Sequence, residues 1–334
     1  METRAAILRQ FPAGDRRLAD IVRIKGDASN RQYFRVSGAK GSCIACIDPA
    51  FRGNEPDAYP FLSVGNLLAR NGVRVPGVIG TDCAEGLLLL EDCGDIMLQD
   101  EVEHAGTADI EARYRQVVDI LVTIQAIRPV TGAIPFSLSF DMEKLMFEFD
   151  FFIRHALEGL FEGTIAPDGV AALRREFESI ASLLVRPELF VLNHRDFHSR
   201  NIMLHHDEPV VIDFQDARLG LPQYDIVSLL RDSYVRLDAP MVETLKGYHF
   251  RKLEATGAIS MGFGEYLRYF DLMAFQRNVK ALGTFCYQVG VAGNRTFEPS
   301  IAPTVGFLPD YIEARPELAA AGRIMEPLIR RFTT

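Results

Sequence analysis

The sequence predicts an α+β protein with a small β-rich N-lobe, residues 1–92, and a larger, mainly helical C-lobe, residues 93–334. Three observations point there. The stretch before residue 91 is filled with short apolar or alternating runs broken by glycines, the pattern of strands. After Glu91-Asp92-Cys93-Gly94 the periodicity becomes helical. A chain of 334 residues, 48% hydrophobic and 24% charged, is long enough for about two domains with a substantial core.

In the N-terminal part, IVRI (21–24), QYFRV (32–36) and CIACI (43–47) read as strands, punctuated by Gly26, Gly38 and Gly41. Residues 61–70 form a helix ended by Asn71-Gly72, and 78–80 and 86–90 are two further strands. Helices are expected over 109–127, 141–159, 168–185, 224–236 and 265–285. The five phenylalanines near 141–159 read mostly as core. ELFVLNH before residue 195 and EPVVIDF up to residue 214 interrupt the helical part as short strands.

Charge and cysteine content exclude several classes. The net charge is −9, from 36 basic and 45 acidic residues, and no basic block stands out, so no nucleic-acid partner is expected. The longest aliphatic run, Leu87–Leu90, is far below the roughly 20 residues that span a bilayer. METRAAILRQFPAGDRR is charged and lacks an apolar core, so a cytoplasmic chain without a secretory signal is expected. Five scattered cysteines fit a reducing compartment. Cys43 and Cys46 form a CxxC within a strand, where that spacing puts the side chains on opposite faces, so they read as core and not as a metal or redox pair.

The chemistry lies in VLNHRDFHSRNIMLHHDEPVVIDFQD, residues 191–216. His194-x-Asp196 is followed by Asn201, and an apolar strand then ends in Asp213. A chance HxDxxxxN is expected about 0.01 times in such a chain. The pattern suits phosphoryl transfer, which needs one carboxylate to take the proton of an attacking hydroxyl. It also needs hard oxygen ligands to hold Mg²⁺ on the phosphates of ATP. Asp196 fits the first role, Asn201 and Asp213 the second. His194 reads as a packing residue that hydrogen-bonds the backbone.

This motif, GLLLLEDCGD (86–95) and the two-lobe pattern resemble the aminoglycoside phosphotransferase/choline kinase group. GDASNRQYFRV (26–36), DFQDA (213–217) and FQRNVKALGTF (275–285) are more similar still to the bacterial cell-wall amino-sugar kinases. Those enzymes phosphorylate the anomeric hydroxyl of N-acetylmuramate and N-acetylglucosamine during peptidoglycan recycling. The resemblance implies a protein-kinase-like two-lobe fold with a small antiparallel sheet, ATP as co-substrate, Mg²⁺ and a small-molecule sugar as acceptor. It also implies that Gly26, Ser29 and Asn30 lie in a phosphate-covering turn, that Glu91 and Cys93 offer hinge backbone groups to adenine, and that Tyr224 and Asp225 are anchors.

Two departures from the group matter. The third strand, CIACIDP, lacks the lysine that grips the α- and β-phosphates in kinases, which leaves Lys25 and Arg35 as substitutes and an ATP-binding pseudokinase as an alternative. CYQVGVAGNRTFEPS, from residue 286, lacks an expected Asp-Gly-Lys run, so aminoglycoside, choline and homoserine remain alternative acceptors. On the acceptor side, Arg277 and Lys280 share a helical face and suit an anionic group, with a solvated face as the alternative. Glu148 suits sugar hydroxyls.

Overall fold

The computed structural model describes residues 7, 20–24, 30–39 and 41–333. Lys25, Gly26 and Ser29 lie outside the described residues. The chain divides into two units, residues 1–98 with 201–215, and residues 99–200 with 216–334. The sequence boundary after residue 92 left 201–215 with the helical part. In the structure this segment returns to the first unit because Leu204 N donates to Ile96 O (2.9 Å) and Val211 N to Arg74 O (2.9 Å).

The first unit holds an antiparallel sheet of β1 (Asp20–Ile24), β2 (Gln32–Gly38), β3 (Gly41–Ile47), β4 (Val78–Asp82) and β5 (Leu87–Glu91), in the order β1-β2-β3-β5-β4. Strand alternation sorts the side chains. Val36, Cys43, Ala45, Leu87 and Leu89 share one buried cluster, while Cys46, of opposite parity on β3, pairs with Tyr33 of β2. The CxxC is therefore split across the sheet, and all five cysteines are free thiols. Helix α1 (Pro60–Arg70) follows, opening with a proline at its first turn. A Cβ at Gly65 of α1 would stand 3.0 Å from the Phe214 ring, so glycine there admits the hairpin segment against this helix.

The second unit is built on α2 (Thr107–Gln125), α3 (Met142–Phe152), α4 (Pro167–Leu184), α5 (Gln223–Leu230), α6 (Ala239–Ala255) and α7 (Phe263–Gly290). The phenylalanines of α3 are mostly core: Phe149 stacks on Phe177 at 4.1 Å, and Phe152 meets the same ring edge-on. Burying one such ring stabilises by about 1.5–3 kcal/mol. Beyond Phe152 the expected helix continues as a π-helix, Ile153–Leu160. The helix expected over 224–236 stops at Leu230, where Asp232 turns its carboxylate to Tyr234 N (2.9 Å) and Ser199 N (2.9 Å) instead.

Helix α6 escaped the sequence reading because its buried stripe is diluted by Lys246, Gly247 and His249. Short helices beyond residue 300, among them Leu308–Ala314, were also not legible. Among the described residues no helix is long and apolar enough to cross a membrane.

Candidate active site

In the second unit, the segment after strand Val191–Asn193 is held by two buried carboxylates. Asp225, near the start of α5, accepts from His194 N (2.5 Å) and Arg195 N (2.9 Å). Asp232, just past the end of α5, accepts from Ser199 N (2.9 Å) and Ser199 Oγ (2.6 Å). Asp196 is thus presented between two fixed points. Arg195 adopts a φ of 89°, a strained conformation for a residue with a side chain. Its Nη1 reaches Asp216 Oδ2 at 3.0 Å, which gives the last Asp of DFQDA a task. His194 behaves as the sequence suggests: its ring packs against Phe197, and its Nδ1 accepts from Asp196 N (3.3 Å).

Helix α7 supplies the other side of the site. Lys280 Nζ donates to Asp196 Oδ1 at 2.8 Å. One turn earlier, Gln276 Nε2 donates to Glu148 Oε2 on α3 (2.9 Å). Arg277 donates through Nη1 to Arg195 O (2.8 Å) and through Nη2 to Ser228 Oγ (2.6 Å), with its guanidinium over the Tyr224 ring. A Cβ at Gly283 would lie 2.8 Å from Phe152 Cα, so only glycine lets α7 press this closely onto α3. The spaced residues of FQRNVKALGTF thereby acquire separate duties on one helix.

Burial alone disfavours the charge on Asp196, but Lys280, Arg195 and Arg277 outweigh it and hold the carboxyl well below the usual carboxylate range. An open cavity of about 130 Å³ lies alongside, lined by Asp196, His198, Asp232, Arg231, Arg277 and Lys280 among others.

Two acceptor-side expectations change here. Arg277 is neither a solvated surface residue nor an open cation, because both ends of its guanidinium are committed to the loop and to Ser228. Glu148 does not line the cavity. It is buried, with Oε2 on Gln276 and Oε1 3.7 Å from Lys144 Nζ.

In the first unit, the hairpin of Ile202–His205 and Glu208–Val211 brings Asn201 and Asp213 together. Ile212 N donates to Asn201 O (3.0 Å), placing the carboxamide residue beside the residue before Asp213. Asp213 has a φ of 63°, and its Oδ1 accepts from Gln215 Nε2 (2.8 Å). Among the described residues no three His, Cys, Asp or Glu side chains gather into a metal cage. A neutral and an anionic oxygen donor still fit Mg²⁺, whose shell is ordinarily completed by water and substrate phosphates.

The remaining nucleotide-side residues are spread along the first unit. Asn30 is exposed, just ahead of β2. Arg35 is occupied: Nε and Nη2 bond Asp92, Nη1 and Nη2 bond Asp95, and Nη2 also reaches Gly94 O. Glu91 is gripped by Arg74, which pulls its carboxyl down to about 2, and its own N–H donates to Gly77 O (2.8 Å). The Glu91 amide is therefore not a donor to adenine. Cys93 is buried, which pushes its thiol up to about 11. Sequence reasoning missed Asp232, Asp216 and an Arg31–Asp48 pair. Asp216 stood inside the quoted motif and Asp232 beyond it, and nothing in their spacing names their partners.

A small antiparallel sheet, a helical unit and an Asp-centred loop between two carboxylate anchors define a phosphotransferase of protein-kinase-like fold. The chain belongs to the phosphotransferase enzyme family, whose family model matches residues 20–258. It is 31% identical over 312 residues to an N-acetylmuramate/N-acetylglucosamine kinase of Pseudomonas aeruginosa, covering 93% of this chain and 89% of that protein. The corresponding kinase of Pseudomonas putida is 29% identical, with 96% and 90% covered. Among solved structures, a choline kinase from Cryptosporidium parvum shares the fold with a TM-score of 0.64 at 12% identity, covering 99% of each chain.

Proposed function

We propose that this protein is a cytoplasmic kinase that uses ATP and Mg²⁺ to phosphorylate the anomeric hydroxyl of N-acetylmuramate or N-acetylglucosamine in cell-wall recycling. The observation that carries the reading is the Asp196 carboxylate, held ionised by Lys280 at 2.8 Å beside an open cavity. The names of the two Pseudomonas relatives supply the acceptor.

In the proposed reaction the acceptor hydroxyl lies in that cavity and passes its proton to Asp196 as its oxygen bonds the γ-phosphorus; the bond to the β-phosphate bridging oxygen breaks and ADP leaves. A carboxylate surrounded by cations is a weak base. It suits an anomeric hydroxyl, which is more acidic than an ordinary alcohol. Asn201 and Asp213 are the residues that would hold Mg²⁺, which would neutralise charge on the transferring phosphate. Asp225 and Asp232 fix the loop, and Arg277 ties it to α5 and α7. Three of the cavity's charged side chains are basic, Arg231, Arg277 and Lys280, against Asp196 and Asp232. That balance favours a neutral or anionic sugar over a polycationic antibiotic.

The test is ADP release with ATP, Mg²⁺ and each of N-acetylmuramate, N-acetylglucosamine, an aminoglycoside, choline and homoserine. Turnover with the amino sugars is expected. Turnover confined to one of the other acceptors would replace the substrate assignment. Nucleotide binding with no turnover on any acceptor would favour a pseudokinase.

A further inference from the structure

The third strand, β3, has no cation to offer the phosphates. Residue parity on β2 and β3 defines the sheet face opposite the Val36–Cys43–Ala45 cluster. Tyr33 pairs with Cys46 there, and Arg35 with Ile44. Arg35 is committed to Asp92 and Asp95. Arg31, two residues before Tyr33 and just ahead of β2, has the same parity.

We infer that Arg31, positioned by Asp48, is the phosphate-gripping cation that replaces the lysine absent from β3. This inference rests on the kinase reading above.

Three features carry it. First, Arg31 is held as such a cation must be: Nε donates to Asp48 Oδ2 at 2.8 Å, and the side chain retains 16% exposure. Asp48 is itself fixed by Tyr59 O–H (2.5 Å) and Ala50 N (2.8 Å). In protein kinases the strand-three lysine is likewise set by a carboxylate. Here the carboxylate directly follows β3.

Second, contacts run from Arg31 to the proposed metal ligand. The Arg31 guanidinium stands 5.9 Å from the Phe61 ring centroid, Phe61 packs on Phe214 at 4.9 Å, and Phe214 immediately follows Asp213.

Third, the chemistry is suitable. A guanidinium presents five donors in a planar fork, so hydrogen bonds to Asp48 and Tyr33 are compatible with further bonds to phosphate oxygens from the same side chain.

The experiment measures binding of ADP and adenosine in Mg²⁺ by calorimetry, with kcat and acceptor KM, for the full-length parent and for R31Q, R31K and R31Q/D48N. The double variant removes both charges, so no buried carboxylate is left unpaired, and melting temperatures are recorded for all. R31Q and the double variant are expected to lose about 10- to 100-fold in ADP affinity, the scale of a charge-assisted contact, and to lose kcat. Adenosine affinity and acceptor KM should hold, and R31K should recover part of the loss. Unchanged ADP affinity in both charge-removing variants overturns the inference alone. Equal loss of adenosine and ADP also overturns it, by making Arg31 a structural residue. A parent that does not bind ADP overturns the kinase reading, and the inference with it.

Discussion

Replacing Asp225 with asparagine tests how the loop is held. The carboxylate takes one backbone N–H on each oxygen, from His194 and from Arg195, and the residue has no exposed surface through which water could substitute. Asparagine keeps one acceptor and turns an NH₂ group toward the second N–H. One buried amide is orphaned, at a cost of about 1–3 kcal/mol. The loss falls beside Arg195, whose φ of 89° persists only while its surroundings enforce it. At roughly 2–4 °C per kcal/mol for a unit of this size, D225N should melt about 2–12 °C lower. Relaxation of Arg195 carries Asp196 with it, and a displaced base lowers kcat by about 10- to 100-fold while substrate KM values stay near the parent's. Differential scanning fluorimetry and steady-state kinetics read the two effects. A D225N protein with parental kcat would refute the claim that these two bonds position Asp196.

Other substitutions probe the remaining roles. D196N should keep ATP affinity and lose about 10²–10⁴-fold in kcat, the usual scale of general-base help; near-parental turnover removes Asp196 from that role. D213A should lose Mg²⁺-dependent ATP affinity more severely than N201A, because one ligand is charged and the other neutral, and a Mg²⁺ titration compares them. The Asp196 pKa lies below its unfolded value, so its ion pairs stabilise the fold above the ordinary carboxylate range and are lost as pH falls through the folded value. K280M should therefore move the acid limb of kcat/KM to higher pH, and a profile superimposable on the parent's contradicts this. R277M should lower kcat on every acceptor alike; selective loss with N-acetylmuramate would instead make Arg277 a carboxylate clamp.

How much was legible beforehand depended on whether the information was local. β2, β3 and α1 were readable because alternation, period and terminators lie within each segment. Asp196, Asn201 and Asp213 stood out in the sequence because the roles proposed for them require fixed spacing along one loop and hairpin. Arg277 and Lys280 stood out as charges three apart on a helix, yet spacing is silent about what lies across from that face. Only the packing of α7 onto α3, permitted by Gly283, reveals a loop carbonyl opposite one and Asp196 opposite the other. Arg31 was hidden for the same reason: its partner Asp48 is 17 residues away, and only the β2–β3 register brings them together.

The central claim, phosphoryl transfer from ATP to an anomeric hydroxyl, is tested most directly on the product. The parent protein is incubated with ATP, Mg²⁺ and N-acetylmuramate or N-acetylglucosamine, and the sugar phosphate is examined by phosphorus and proton NMR. The account predicts a phosphorus resonance coupled to the anomeric proton, present with the parent and almost absent with D196N. Phosphate coupled to the protons at carbon six, or undiminished product from D196N, would contradict it.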